Sequence, residues 1–506
     1  MHHHLLPVHG GYFCQHHCQY FQWLQWSRVC YPAPGFQHHC DTKDPHKHNA
    51  AVFVMFIGSF FLRFLSAALQ LTSSWSSLLS VAVCCRQDWT QMQPRMFSQV
   101  FFFCLRISME DPIDSHPEEI PGVREDLENN DIAAAAAMIQ QYLERENNIP
   151  LNIAITGETG SGKSTFVNAL RGMFDDDEGA APTGVTETTS EVKPYPHPNY
   201  PNVKLWDLPG IGSTKFPADE YLELVGFEKF DFFIIISDTR FRENDVKLAQ
   251  EIQRMKKKFY FVHSKVDDNL RAERRKRDFN EEETLTKIRE DCVHRLRRSG
   301  IESPQVFLVS SFKLHLYDFS LLHQTLERDL PKHKRHALLR AMPNISLEII
   351  NKKKKAFQSK IKYYSILSAA VAGVPVPALS IAVDLALLVG VVTHYVHAFG
   401  LDIQSLKRLS ARTGVPYTDL CAVIISPLAA AEITTGLLFK VMTQAAGAAT
   451  LIAAEEATRW IPGVGIPIAM CLSFATIYKI LKLILDNLTD DAQKVFEITL
   501  GLNTSV

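Results

Sequence analysis

The segment NIAITGETGSGKSTFVNALRG, residues 152–172, decides the fold. Its apolar start leads directly into residues 157–164, which fit the pattern G-x-x-x-x-G-K-S/T between a strand and a helix. Glycines in such a loop let backbone N–H groups turn towards phosphate oxygens, and the positive end of the following helix points to the same place. We therefore predict a phosphate loop with nucleotide contacts from Gly157, Gly160, Ser161, Gly162, Lys163, Ser164 and Thr165.

Two side chains of this phosphate loop have specific predicted roles. Lys163 would neutralise the β and γ phosphates, and the Ser164 hydroxyl would bind Mg²⁺. Loops of this kind occur in ATPases, kinases, translocases and GTPases alike. The rest of the chain must therefore distinguish between these classes.

Apolar runs rich in Ile, Val and Phe alternate with longer amphipathic stretches from residue 151 onwards. The runs are LNIAIT, NVKLWD, DFFIIIS, KFYFVHS and QVFLVSS, and they are typical of buried parallel strands with helices between them. The alternation predicts a doubly wound, mostly parallel sheet. Ligands of such sheets bind at the carboxyl ends of the strands, so the residues directly after each run are candidate site residues.

The run that ends at Asp207 supplies a second candidate element. A carboxylate in this place can hold Mg²⁺, and the N–H of Gly210 can contact the γ phosphate and move when that phosphate leaves. The intervening segment APTGVTETTSEV offers further hydroxyl groups for the metal, which the sequence does not rank: Thr183, Thr186, Thr188 and Thr189. The candidate metal ligands are Ser164, Thr183, Thr189 and Asp207.

We expect the segment FVHSKVDDN to select the nucleotide base. Guanine presents its N1–H and 2-amino groups side by side, and one carboxylate accepts both in a fork, whereas adenine has an acceptor at N1. Asp267 would therefore select guanine, with Ser264 nearby and the stem of Lys265 over the ring. Ser310 and Ser311 follow the last apolar run and would donate backbone N–H groups to the guanine carbonyl. These residues predict GTP as the nucleotide.

Ile211 occupies the position after Gly210, where small signalling GTPases place a Gln that orients the attacking water. Another group must therefore assist hydrolysis. The sequence predicts a slow basal rate and activation by assembly.

Longer segments around these motifs resemble one protein family. GETGSGKSTFVNALRG, TGVTETT, PNVKLWDLPGIGSTKFP, YDFS and FDFFIIISDTRFRENDVKLAQ are similar to segments of the immunity-related GTPases, the interferon-inducible p47 group of dynamin-like GTPases. The resemblance runs from about residue 115 to the C-terminus. It implies an α/β P-loop GTPase domain combined with an all-α helical domain, which the N- and C-terminal flanking segments form together.

The resemblance also implies roles for individual residues. Lys163 gives the phosphate loop the GKS form of the effector members of the family. Activation across a dimer implies catalytic roles for Glu158 and Glu187 beside Lys163, and Arg240 matches a basic position near the assembly face. The alternative for Glu158, Glu187 and Arg240 is that each is an ordinary solvated charge.

We expect a division into four parts: residues 1–108 as an atypical extension, 109–150 as an N-terminal helical segment, 151–332 as the GTPase domain and 333–506 as the C-terminal helical domain. The extension is either a gene-model artefact or a real segment with a membrane span within residues 51–85. Seven of the ten cysteines precede residue 105, so the remaining body is typical of a reduced cytoplasmic protein. The net charge of −2 gives no indication of nucleic-acid binding.

Two long apolar stretches, residues 363–400 and 460–485, follow in the C-terminal part. They predict core helices or a helical hairpin rather than membrane spans. The predicted interruptions are Pro375, Pro377 and Asp384 in the first stretch and Pro462 and Pro467 at the start of the second. The basic run 352–355 leaves attraction to an anionic membrane surface as an alternative. Neither Met1-His2 nor Met109-Glu110 fits the Met-Gly myristoylation signal of some family members.

The leading functional hypothesis is an enzyme that hydrolyses GTP to GDP and phosphate with Mg²⁺. The resemblance implies that it assembles with itself on intracellular or vacuolar membranes in interferon-induced innate defence, as a cytoplasmic protein peripherally attached to those membranes. One alternative is a GTP-held switch or regulatory binding module with negligible hydrolysis. An ATP-dependent P-loop protein is a further alternative.

Overall fold

The computed structural model describes residues 120–129, 131–184, 191–209, 221–239, 241–374, 379–444, 448–458 and 465–501. The predicted extension over residues 1–108, with its candidate membrane span, lies outside these ranges. The two helices that precede the sheet are α1 (Val123–Glu128) and α2 (Ile132–Asn147). Asp131 caps α2 by accepting the N–H of Ala134 at 3.0 Å.

The sheet has the parallel architecture that the apolar runs predict. Its strands are β1 (Leu151–Gly157), β2 (Lys193–Pro196), β3 (Val203–Asp207), β4 (Phe232–Ser237), β5 (Lys258–His263) and β6 (Val306–Leu308). They lie in the order β2-β3-β1-β4-β5-β6, and only β2 is antiparallel to its neighbour among these strands. Every residue of β4 is buried, because helices cover both faces of a central parallel strand.

Two strands differ from the sequence-based expectation. Strand β2 is absent from the apolar runs because its sequence KPYP buries only Tyr195. Its two prolines are tolerated since β2 is an edge strand, where a missing N–H costs no ladder hydrogen bond. Strand β6 ends at Leu308, earlier than the run QVFLVSS predicted. The following residues leave the sheet to form a loop.

Helices pack on this sheet and continue into a purely helical part. Those of the α/β part are α3 (Lys163–Leu170), α4 (Tyr221–Val225), α5 (Glu243–Arg254), α6 (Val266–Glu273), α7 (Glu281–Arg298) and α8 (Phe319–Asp329). The helical part contains α9 (Lys332–Ala341), α10 (Leu347–Ala372), α11 (Leu379–Ala398), α12 (Ile403–Thr413), α13 (Tyr417–Ala422), α14 (Thr435–Gln444), α15 (Ala448–Thr458) and α16 (Gly465–Thr499). The predicted fold class is confirmed.

Helices α10 and α16 form a long antiparallel pair. Ser368 and Ser473 share a hydrogen bond of 2.5 Å near one end, and Lys354 pairs with Asp486 at 2.6 Å towards the other. Buried aliphatic side chains from both helices fill the space between them. This pair is the centre of the helical part.

The N-terminal helix α2 is joined to the C-terminal helices by a buried ionic cluster. The Glu146 carboxylate lies 3.1 Å from Lys360 Nζ on α10 and 3.3 Å from His336 Nδ1 on α9. Burial alone would raise the pKa of Glu146, but hydrogen bonds from His336 and Lys360 and the charge of Lys360 lower this pKa to about 2. The helices that precede the sheet in the sequence and those that follow it therefore pack together in one helical part.

The apolar C-terminal stretches form helices, but two predicted interruptions are wrong. Asp384 lies buried inside α11 without ending it, because an aspartate costs a helix far less than a proline does. Pro467 lies in the first turn of α16, where no intrahelical N–H is required. Helix α10 ends at Ala372 and α11 begins at Leu379, and the other predicted interruptions, Pro375, Pro377 and Pro462, lie outside the described residues.

Within the described residues, Leu379–Thr413 and Gly465–Thr499 are long and apolar enough to cross a membrane, each with a mean hydropathy of 1.9. The protein itself buries 39% of the apolar window in the first and 67% in the second. The second therefore behaves as a core helix, whereas most of the apolar window in the first is only partly buried or exposed.

The basic run 352–355 is largely engaged within the protein rather than forming an open cationic face. Lys352 pairs with Glu327 at 2.9 Å, and Lys354 pairs with Asp486. Lys353 is 1% exposed and donates to the carbonyls of Met342 and Ala398, both at 2.6 Å, and to Asn344 Oδ1 at 2.8 Å. Lys355 is exposed.

Candidate nucleotide-binding site

The phosphate loop connects β1 to α3 in a conformation that requires glycine. Gly157 has φ 136°, and a Cβ there would lie 2.1 Å from the Ile236 carbonyl oxygen of the neighbouring strand. Gly162 has φ 90° and precedes α3 directly. The buried Lys163 donates from Nζ to the Glu158 carbonyl at 2.9 Å, so its ammonium lies within the loop. This arrangement presents backbone N–H groups and one cation to the same space.

Two of the four predicted metal ligands, Ser164 in the first turn of α3 and Asp207 at the end of β3, are brought together. Strands β1 and β3 pair in parallel, and the Ser164 hydroxyl donates to Asp207 Oδ2 at 2.5 Å. Asp207 is fully buried at the carboxyl end of β3. A hydroxyl and a carboxylate are the hard oxygen ligands that Mg²⁺ prefers, so these two residues fit that ion.

Of the remaining candidate site residues between these elements, only Thr183 lies within the described residues. Thr183 is half-buried, close in sequence to Ala181, whose N–H and C=O both bond the Asn168 side chain of α3 at 2.7 and 2.9 Å. The sequence offered a signal for Asn168, since a buried polar residue inside an apolar helix needs a partner. The other candidates lie outside the described residues: Glu187, Thr189, Gly210 and Arg240, together with the alternative metal ligands Thr186 and Thr188.

Residues 264–267, here called the guanine motif, are tied directly to the phosphate loop. Ser264 Oγ donates to the Ser161 carbonyl at 2.7 Å. Lys265 adopts φ 53°, and its Nζ donates to the Gly160 carbonyl and to Asp238 Oδ2, both at 2.7 Å. The predicted base site and the phosphate loop are therefore in direct contact and form one continuous site.

Asp238 is a site residue that the motif patterns did not single out. It follows the carboxyl end of β4 and forms an ion pair with Lys265 in which both side chains are partly exposed. The rule that site residues follow buried parallel strands would have found it. Its contact fixes the ammonium group of Lys265 at 2.7 Å from the Asp238 carboxylate.

Residues 309–317, called the base loop here, carry Ser310 and Ser311 beside the guanine motif. Strand β6 pairs with β5, and the N–H of Val266 donates to the Val309 carbonyl at 3.3 Å. Burial, followed by the negative charges of Glu281 and Asp267, raises the pKa of Tyr317 at the end of the base loop.

The base loop is closed by a clip around Asp318. Arg289 on α7 donates two hydrogen bonds to the Asp318 carboxylate, at 2.6 and 3.0 Å. Asp318 also accepts the N–H of Leu308 at 2.8 Å and returns its own N–H to the Leu308 carbonyl at 2.9 Å. Both ends of the loop are thereby fixed to the end of β6.

Glu158 does not point freely into the phosphate loop. Its Oε2 lies 2.9 Å from Arg242 Nε, at the start of α5. The Arg242 N–H in turn donates to Asp245 Oδ2 at 3.0 Å. Asp245 is fully buried, and burial followed by the negative charge of Glu158 raises its pKa to about 7. A carboxylate of the phosphate loop is therefore held by the segment that follows β4.

A comparison with known proteins identifies the family of this chain. The family model described as Interferon-inducible GTPase (IIGP) matches residues 116–498, which include the sheet, the nucleotide site and the helical part. The chain belongs to the interferon-inducible GTPase family. Its membership confirms the family, the fold class and the enzyme class expected from the sequence.

Individual relatives of this interferon-inducible GTPase match over most of their own length. Interferon-inducible GTPase 5 is 42% identical in Rattus norvegicus, over 75% of this chain and 82% of the relative. The protein of the same name in Bos taurus is 43% identical over 75% and 81%. Interferon-gamma-inducible GTPase 10 of Mus musculus is 39% identical over 66% and 80%.

Similarity to solved structures is weaker. An oligomerised bacterial dynamin pair aligns with 81% of this chain and 76% of its own at 12% identity and a TM-score of 0.25. This score is too low to carry an argument about the interferon-inducible GTPase.

Proposed function

We propose that this GTPase binds GTP through one continuous pocket and hydrolyses it at a rate that self-assembly increases. The observation that supports this most directly is the link between guanine motif and phosphate loop, in which Ser264 and Lys265 bond the carbonyls of Ser161 and Gly160. A base that engages Asp267 therefore fixes the register of the phosphates against the loop.

Each polar group of the pocket has a definable task in this proposal. Asp267 accepts the two N–H groups of guanine, and Ser310 and Ser311 offer backbone N–H groups to its carbonyl. Lys163 neutralises charge on the β and γ phosphates. Ser164 and Asp207 would hold Mg²⁺, which supplies charge neutralisation at the β and γ phosphate oxygens when bound.

Assembly enters the proposal through Glu158. Because Ile211 stands where a water-orienting Gln would be, another polar group must assist the attack of water. Glu158 belongs to the phosphate loop but pairs with Arg242, whose side chain is 65% exposed and accessible to a second subunit. Contact with another GTPase face that engages Arg242 would release Glu158 towards the nucleotide.

The family and the fold also support a cellular role. We propose peripheral association with intracellular or vacuolar membranes during interferon-induced defence, with the chain itself as its principal partner. Residues 352–354 are engaged inside the protein, so α11, whose apolar window is less buried than that of α16, is the better candidate for contact with lipid.

The contact between Glu158 and Arg242 also favours a second function, because it holds Glu158 on Arg242. If assembly never breaks this contact, the protein would be a GTP-held switch with negligible hydrolysis. The same residue therefore separates the two functions.

The deciding experiment measures GTP turnover per molecule as protein concentration rises. The proposal expects turnover to increase with concentration, and Glu158→Gln to abolish that increase while GDP still binds. Glu348→Gln provides a matched control, because Glu348 is an exposed glutamate on α10 in the helical part. Flat, near-zero turnover with tight GTP binding would instead support the switch.

Base selection is tested separately. Asp267→Asn should weaken guanine nucleotides and admit xanthine nucleotides, since Asn presents a donor where Asp267 presents an acceptor. If xanthine nucleotide gains no affinity, the assignment of Asp267 is wrong.

A further inference from the structure

A large aromatic side chain stands open to solvent on the base loop. Phe312 is 63% exposed and follows Ser311 directly. Most phenylalanines of the α/β part are buried, among them Phe232, Phe233 and Phe261 in the sheet. Phe312 therefore presents its ring to solvent directly beside the serines predicted to contact the guanine carbonyl.

The backbone of the base loop directs Phe312 to the tip of a turn. The N–H of Lys313 donates to the Ser310 carbonyl at 3.3 Å, which closes a turn with Ser311 and Phe312 at its corners. The N–H of Phe312 donates to Ser310 Oγ at 3.3 Å, and Ser310 itself is fully buried. The turn therefore stands on a fixed base, and the Arg289–Asp318 clip holds its far end.

Lys265 is the residue whose stem is predicted to lie over one face of the guanine ring. Its Nζ is bonded at once to the Gly160 carbonyl and to Asp238 Oδ2, which fixes the end of that stem beside the phosphate loop. Strands β5 and β6 are adjacent and parallel, with His263 opposite Leu308. The guanine motif and the turn that carries Phe312 therefore leave the sheet side by side.

We propose that Phe312 stacks on the guanine ring and is an affinity-determining residue for the nucleotide, with the Lys265 stem on the other face. Guanine has two apolar faces, and hydrogen bonds from Asp267 and the base loop satisfy only its edges. An aromatic ring on one face removes apolar surface of both partners from water and adds dispersion contacts. The inference rests on the proposed reading of guanine by Asp267.

The position of Phe312 favours a nucleobase over a protein partner. It directly follows the serines predicted to contact the guanine carbonyl, and the pairing of β5 with β6 and the bond from the Val266 N–H to the Val309 carbonyl bring the base loop beside the guanine motif. A protein contact through the same ring is the competing outcome that the experiment must separate.

The experiment measures GDP affinity by equilibrium titration at protein concentrations below assembly. Phe312→Ala should weaken GDP binding about ten-fold, within the range found when aromatic residues that stack on bases are replaced by alanine. Phe312→Trp should bind GDP as tightly as the wild type, and the fluorescence of the new indole should be quenched on binding. Phe439→Ala is the matched control, since Phe439 is 46% exposed on α14 in the helical part.

A second arm separates failure of this inference from failure of the proposed base reading. In the Asp267→Asn background, Phe312→Ala should weaken xanthosine diphosphate by the same factor, because stacking does not depend on which edge groups pair. If Asp267→Asn admits xanthine but Phe312→Ala leaves GDP affinity within about two-fold, stacking is wrong and the base reading stands. Loss of concentration-dependent assembly with unchanged GDP affinity would assign Phe312 to a protein contact and would also overturn the proposal.

Discussion

Replacing Glu146 with Gln should destabilise the whole helical part at neutral pH. Glu146 on α2 is 7% exposed and accepts hydrogen bonds from Lys360 on α10 and His336 on α9. Glutamine keeps the shape and an acceptor oxygen but removes the negative charge. Lys360, itself 7% exposed, would then remain buried without a counter-charge.

The expected magnitude follows from the pKa of Glu146. The pKa falls from 4.5 to about 2, and one pKa unit corresponds to about 1.4 kcal/mol. The ionised carboxylate therefore contributes about 3 kcal/mol to the free energy of unfolding at neutral pH, and Glu146→Gln should lose about that amount. Because the folded pKa lies below the unfolded one, this contribution is present above about pH 4.5 and is lost as the pH falls towards 2.

Urea unfolding followed by far-ultraviolet circular dichroism gives the measurement. Glu144→Gln is the matched control, since Glu144 lies on the same helix but is exposed. Combining Glu146→Gln with Lys360→Met should recover part of the loss, because the double variant no longer buries a lone charge.

Two results would refute this reasoning. One is a cost of Glu146→Gln no larger than that of Glu144→Gln near neutral pH. The other is a cost that stays constant as the pH falls below 4.5, since the wild-type advantage must shrink there.

Three further perturbations follow from the structure. Asp245→Asn should stabilise the nucleotide-free protein by up to about 4 kcal/mol above neutral pH, because burial raises the Asp245 pKa from 3.8 to about 7 and wild-type stability is lost as the pH rises through that window. A pH series of thermal unfolding checks this, and a gain that is equal near pH 4 and pH 8 would contradict it. Lys353→Met should cost more in urea unfolding at pH 9 than at pH 7, because the bonded oxygens of Met342, Asn344 and Ala398 lose their donor, while burial lowers the Lys353 pKa to about 7 and charged Lys353 destabilises the wild type at lower pH; Lys355→Met should show no such dependence. Asp318→Asn should weaken GDP binding about five-fold through loss of the charged clip with Arg289, and unchanged affinity would show that the base loop keeps its position without it.

The sheet and the motifs that follow its strands were accessible from sequence because they depend on local patterns. The run DFFIIIS is apolar over residues 232–236, since β4 is covered on both faces, and the glycines of the phosphate loop stand where φ is positive or a Cβ would clash. The geometry then brings Ser164 to Asp207 and Ser264 to the phosphate loop, while the roles of these side chains stay predictions.

The features that sequence did not reveal depend on partners distant along the chain. Strand β2 is held as an edge by β3 despite its prolines, which outweighs its poor intrinsic strand preference. The ion pairs of Glu158 with Arg242 and of Lys265 with Asp238 join separate loops, and the spacing of residues in the sequence does not predict such pairs. The predicted helix interruptions at Asp384 and Pro467 were wrong for a related reason. The effect of a residue on a helix depends on its position in that helix, which the residue type alone does not give.

The antiparallel pair of α10 and α16 has a mechanical consequence. Helix α10 has 26 residues, which at 1.5 Å each give a rod of about 39 Å. Its first turns are bound to the α/β part through Lys352 and Glu327, and α16 stiffens it against bending along most of its length. A rotation of only about 6° at the end near the sheet would therefore sweep the far end through about 4 Å, so this pair can act as a lever arm that amplifies sub-ångström shifts near the nucleotide.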